Sequence, residues 1–165
     1  MNKVFISKAL MMQLVEGDVR PALAEIGAKI VSDVRESMVP GTGRTYKHKG
    51  RVHTASAAGK PPSPDSGKLR DSITFHTNFG DQSRVGPMAN SGDAIKKPKR
   101  AMGGYVVSVG SNVHYALAME KGTKAGKSSR RVADRPYLWP ALVRSRGIIK
   151  EVFNQKYLYF NKRGI

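Results

Sequence analysis

The chain has 165 residues, no cysteine and a formal charge of +17. That length predicts one domain with a real core, and the absence of cysteine excludes disulfides, thiolate metal sites and a Cys nucleophile. No apolar run approaches the roughly 20 residues that cross a bilayer, so no membrane partner is expected, and the start, broken by Lys8 and lacking a small-residue cleavage site, is a poor signal peptide.

Residues 1–17 read as an N-terminal arm in which Val4, Phe5 and Ile6 can form a short strand. Residues 18–40 hold a helix, roughly Val19 to Met38. Val19, Leu23, Ile26, Ile30, Val34 and Met38 recur at steps of three and four and share one stripe. Asp18 is placed to cap the start, Pro21 to sit in the first turn, and Pro40 with Gly41 to stop it. Glu25, Lys29, Asp33 and Glu36 occupy the opposite face, which predicts an amphipathic helix lying on a core.

Residues 41–68 read as an extended loop and arm: a basic loop around Tyr46, then a segment stiffened by Pro61, Pro62 and Pro64, which withhold three amide donors. Residues 69–122 read as a sheet and a short helix. Ser72, Thr74, His76 and Asn78 alternate with Ile73, Phe75, Thr77 and Phe79 from Leu69 onward, Gly80-Asp81 makes a turn, and Arg84-Val85-Gly86 begins a return strand. Pro87 to Gly104 lacks apolar periodicity and reads as an exposed tip. Tyr105 to Gly110 is a β-run, and His114 to Glu120 a short helix ended by Gly122 at C′. Residues 123–135 form a second basic loop. Residues 136–165 hold the last helix, about Ala141 to Phe160, with Leu142, Ile149, Val152, Phe153 and Tyr157 on its apolar side. Gly147 interrupts it at a cost of about 1 kcal/mol against Ala, which predicts a bend or a tight approach. The fold class is α+β: a long amphipathic helix and a C-terminal helix packed on a small antiparallel sheet, with a Pro/Gly-rich arm and basic loops.

Little in the sequence carries chemistry. His48, His53, His76 and His114 are dispersed without metal-ligand spacing, and twelve acids, five of them before residue 40, leave few partners for paired-carboxylate work. Ser56, Ser63 and Ser66 lack a nucleophile elbow, and the Gly-rich pieces lack the setting of a phosphate loop. A non-enzyme without cofactor or metal is expected. The charge excess lies beyond residue 40 and attracts polyanions, nucleic acid or an acidic protein surface alike. Lys96, Lys97, Lys99, Arg100, Lys127, Arg130 and Arg131 are the candidate DNA-backbone contacts. No aromatics interleave with them, and no helix-turn-helix, zinc finger or RNA-binding sheet motif is present, so base-specific readout is not expected.

Three segments in order carry a resemblance. The first is HTASAAGKPPSPDSGKLRDSI, with Ser56, Ala57, Gly59, Pro61, Pro62, Asp65, Ser66, Gly67, Leu69, Ser72 and Ile73 at its motif positions. The second is VGSNVHYALAMEKGT, with Val109, Gly110, Tyr115, Ala116, Glu120, Gly122 and Thr123. The third is RPYLWPAL, with Arg135, Pro136, Tyr137, Leu138, Pro140 and Ala141. Together they resemble the tail-completion, or head–tail joining, proteins of long noncontractile-tailed, lambdoid-type phages, over about residues 18 to 160. Lys60, Lys121 and the basic stretch from Lys96 to Arg100 depart from that family's pattern. The resemblance implies a virion structural protein made in the bacterial cytoplasm and assembled as a ring, sixfold-related. Its implied neighbours are a tail terminator, a tail tube or head-side neck proteins, with genomic DNA in the channel as a further partner. It implies interface roles for Ser56, Gly59, Pro61, Pro62, Gly67, Leu69, Tyr115, Glu120, Gly122, Thr123, Arg135, Pro136 and Tyr137. Glu120, beside the Gly122-Thr123 turn, is expected to cap, to pair with Arg135, or to face solvent.

Overall fold

A computed structural model describes residues 8–48, 50–96, 106–123 and 132–162. In chain order it contains α1 (Lys8–Ser37), the hairpin β1 (Thr45–His48) and β2 (Arg51–Thr54), the short helix α2 (Lys68–Ser72), β3 (Thr74–Thr77), a 3₁₀ turn at Ser91–Asp93, β4 (Val107–Gly110), α3 (Ala116–Lys121) and α4 (Leu138–Lys162). Two small antiparallel sheets, β1-β2 and β3-β4, make this a mixed α+β fold.

The stripe on α1 does what its spacing dictates: Leu23, Ile26, Ile30, Val34 and Met38 are buried, with Ala22 and Val31 beside them. Gly27 lies among them, and a Cβ there would meet the Phe75 ring at 2.6 Å, so the missing side chain lets α1 sit close on β3. The helix itself starts ten residues before Asp18. The arm reading therefore fails for residues 8–17, where Ala9, Leu10, Met11, Met12 and Leu14 are good helix formers, and Asp18 is not a cap. Pro21 lies inside the helix and removes one backbone bond instead of occupying the first turn. Val4, Phe5 and Ile6 lie outside the described residues.

Four further expectations are corrected. The basic loop at 41–50 is half of a hairpin, with His48 facing Arg51 and Thr45 facing Thr54, whose hydroxyls are 2.8 Å apart. Leu69 begins no strand but sits in α2, and β3 starts only at Thr74. Its partner is β4, with Thr74 opposite Gly110 and Thr77 opposite Val107. Arg84 to Gly86 is not the return strand; the Gly86 amide donates to the Asp71 carbonyl at 2.7 Å and draws that segment back over α2. The two-faced phase of β3 also breaks, because Thr74 of the polar phase is buried along with Ile73, Phe75 and Thr77 of the other phase. Thr74 Oγ1 accepts from the Ile95 amide at 3.1 Å, and Thr77 Oγ1 bonds the carboxylate of Asp81 at 3.0 Å and its amide at 3.1 Å. Satisfied hydroxyls can be buried where free ones cannot.

α4 packs chiefly on α1. Ala141, Ser145 and Val152 face inward, and the Ser145 hydroxyl donates to the Leu142 carbonyl at 2.7 Å. Arg144 forks onto Asp33 of α1 at 3.1 and 3.2 Å. Leu142, expected on the apolar side, is half exposed. Gly147 has no neighbouring atom within 4 Å, so no tight approach accounts for it. The side chains of Phe153 and Tyr157 lie outside the described residues.

Candidate assembly site

The three sequence blocks meet in one place. Arg135 bridges the third to the first: its Nε donates to Ser56 Oγ at 3.1 Å, its Nη2 to the Ser56 carbonyl at 3.3 Å and its Nη1 to the Ala133 carbonyl at 3.2 Å. Ser56 is buried, and the neighbouring Gly59 amide donates to the Asp134 carbonyl at 2.9 Å. The Arg135 amide meanwhile donates to the Met119 carbonyl of α3 at 2.7 Å, which ties in the second block.

Glu120 completes the clasp. Its carboxylate accepts from the amides of Tyr137 at 2.8 Å, Leu138 at 3.0 Å and Trp139 at 2.9 Å. These are orphan donors of the first turn of α4, at the positive end of its dipole, so one side chain from α3 caps a helix that starts eighteen residues later. Of the three roles open to Glu120, capping is the one it takes, and Arg135 goes to Ser56 instead. Tyr137 is fully buried, and its hydroxyl donates to the Ala116 carbonyl at 3.3 Å. Burial first, then the Glu120 charge, pushes the Tyr137 hydroxyl well above the ordinary phenol range.

The turn after α3 is closed equally tightly. Gly122 has φ 67°, and a Cβ on it would meet the Val132 carbonyl at 2.8 Å and the Asp134 amide at 2.9 Å. The Thr123 amide donates to the Val132 carbonyl at 2.9 Å, and Thr123 Oγ1 accepts from the Val132 amide at 3.1 Å. Gly67, at φ 79°, opens α2 and its carbonyl accepts from the Asp71 amide at 2.9 Å. Leu69 and Pro62 are buried, while Pro61, Pro136 and Tyr115 are half buried. Burial, followed by the charges of Asp93 and Asp65, raises the Tyr115 hydroxyl. Each of the thirteen positions is thus placed in the arm, in α2, in the α3 turn or at the start of α4, and most spend their polar groups inside the chain.

One open surface is an apolar groove, to which the motif positions Val109 and Leu138 contribute. Leu23, Ile26 and Ile30 of α1, Val107 and Val109 of β4, and Leu138, Leu142 and Ile149 of α4 line a groove of about 860 Å³ with Glu120, Lys121 and Pro136 at its margin. Trp139, 62% exposed, stands on its rim, and Val143 is exposed one turn on. In sequence Leu142 reads only as part of the apolar side of the last helix, and Trp139 carries no reading beyond its place in the third segment.

Of the basic candidates, Lys96 is described and exposed; Lys97, Lys99, Arg100, Lys127, Arg130 and Arg131 lie outside the described residues. Several other cations are spent structurally. Arg20 pairs with Asp81 at 2.8 Å, Lys68 with Asp93 at 3.2 Å, and Arg35 Nη2 donates to the Ile73 carbonyl at 2.8 Å. Among the described residues no group of three His, Asp or Glu side chains could hold a metal ion, and no helix there is long and apolar enough to cross a membrane. His53 is buried edge-on against Tyr46 with ring centroids 5.2 Å apart, 3.9 Å from Asp65.

No protein-family model matches the chain, and no curated protein or solved structure matches it either.

Proposed function

We propose that the chain is a non-enzymatic structural protein of a phage neck, which completes the tail for joining to a DNA-filled head by assembling in a ring and docking on neighbouring neck or tail proteins. One observation carries the reading: the three segments that bear the resemblance, separated by tens of residues, converge on the clasp of Ser56, Glu120, Arg135 and Tyr137. Unrelated short matches have no physical reason to meet in space, whereas a motif set that defines one fold does. A clasp of this kind holds a stiff, proline-rich arm in a fixed direction, which lowers the ordering entropy lost when that arm meets a neighbour. No cofactor is invoked, and the chain acts in the virion after synthesis in the host cytoplasm.

Electron microscopy of lysates from a phage lacking this gene tests the reading. Filled heads beside separate full-length tails are the expected outcome; normal infectious particles would overturn it.

The net charge of +17 favours a second reading, an accessory protein that contacts the DNA backbone without sequence preference. Under it, duplex binding falls steeply with salt, and neutralising Lys96, Lys97, Lys99 and Arg100 abolishes function while changes at Gly67, Leu69 or Tyr137 leave assembly intact. The neck reading expects the reverse order of damage.

A further inference from the structure

The free edge of β4 borders the apolar groove. The Asn78 amide donates to the Val106 carbonyl at 3.1 Å, and the pairing continues as Thr77 with Val107, His76 with Ser108 and Phe75 with Val109. Antiparallel alternation therefore turns the amides and carbonyls of Val107 and Val109 away from β3. Among the described residues β4 has no second strand partner. Val106 and Val107 are successive residues with side chains on opposite faces, yet both line the groove, so the groove wraps round that edge. Main-chain groups with no strand partner among the described residues, beside an apolar trough, are the two parts of a strand-addition site: the ladder supplies affinity and the trough selects side chains.

We infer that this site receives Lys3-Val4-Phe5-Ile6 of a second copy of the chain as an added strand. The segment is short and rich in β-forming residues, and with Val4 and Ile6 on one face and Phe5 on the other it suits a trough lined by Leu, Ile and Val that wraps round the edge. Reach excludes the same segment of the same copy. The nearest groove residue on α1, Leu23, lies fifteen residues beyond Lys8, about 22 Å along the helix. Val4 is four residues from Lys8, which allows at most about 14 Å of extended chain. An arm too short for its own groove but complementary to it makes a contact between copies, reciprocal in a dimer or handed on around a ring. The inference rests on the assembly reading for its biological use, but its test needs only the purified chain.

The test places a photo-crosslinking benzoyl-phenylalanine at position 5 of the full-length chain and mixes it with isotopically heavy chain lacking the probe. Crosslinks from light to heavy chains at Val107–Val109 or at Trp139–Leu142 are expected. Val109→Pro removes an outward amide and leaves the bonds to β3 in place, so it should reduce those crosslinks at least about tenfold. Phe5→Asp, which alters no residue of the described core, should weaken self-association in sedimentation by a similar factor, about tenfold or more. Crosslinks confined to one chain, as when residues 97–105 fill the groove in cis, would overturn the inference. So would crosslinks to another surface, or a wild-type chain that stays monomeric. A monomeric chain that is still required for head joining in the deletion lysates would remove the strand exchange alone and leave the neck reading standing.

Discussion

Arg135 grips Ser56 across 79 positions of sequence, through both the hydroxyl at 3.1 Å and the carbonyl at 3.3 Å. The contact fixes where the proline-rich arm leaves the body, because Ser56 is buried at the arm's root and Gly59 is bonded to Asp134 just beyond it. A guanidinium fork can hold two acceptors at once in a way an ammonium cannot.

Arg135→Lys should therefore cost nearly as much as Arg135→Ala, about 2 kcal/mol, since the fork is lost in both. Ser56→Ala should cost about 1 kcal/mol, and the double variant less than the sum of the two. Urea unfolding of the four chains measures this, and strict additivity would mean that the two side chains are not coupled.

Glu120→Gln keeps the size of the side chain and removes its charge from the start of α4. A loss of about 1 kcal/mol is expected, rising to about 2 kcal/mol for Glu120→Ala, which leaves three amides without their acceptor. Hydrogen exchange should show the added opening at the amides of Tyr137, Leu138 and Trp139 before it appears elsewhere.

Two glycines should respond in opposite directions. Gly122→Ala puts a Cβ into the Val132 carbonyl at a positive φ, and should destabilise by 1 kcal/mol or more, about the cost of the strained backbone alone. Gly147→Ala meets nothing and lies in an exposed helical position, so a gain of about 1 kcal/mol is expected. Thermal melts of both variants decide the matter.

Asp81 supplies a pH dependence. The hydrogen bond from Arg20, helped by that from Thr77, holds its carboxyl below the ordinary aspartate range. A depressed folded-state pKa means the contribution is complete above the unfolded value of about 4 and is lost as pH falls through the folded value. As pH falls below about 4, the denaturation midpoint of the wild type should drop more steeply than that of Asp81→Asn. Asp93, lowered by the Asn90 amide and Lys68, keeps part of the slope in the variant.

What the sequence made legible was local. The α1 stripe from Leu23 to Met38 could be read because its spacing alone selects a face. The residues of the clasp could be read as motif positions, but their pairing could not, because Arg135 with Ser56 and Glu120 with Tyr137 are long-range choices that no periodicity encodes. The β1-β2 hairpin was missed because Thr45 to Thr54 is polar on both faces and gives no apolar alternation. The phase of β3 misled because Thr74 is buried with its hydroxyl bonded to the amide of Ile95, which lies in a loop. Leu142 looked like a core residue because helical spacing does not say which stripe of a helix finds a partner.

The Thr123–Val132 closure has a consequence for how such a chain can diversify. Thr123 and Val132, with eight residues between them in sequence, are joined by two hydrogen bonds. Lengthening a segment held this way costs little, since closure entropy grows only with the logarithm of its length. The position works as a socket: a different recognition sequence or an epitope tag can be exchanged there while the clasp around Glu120 and Arg135 goes on holding the scaffold unchanged.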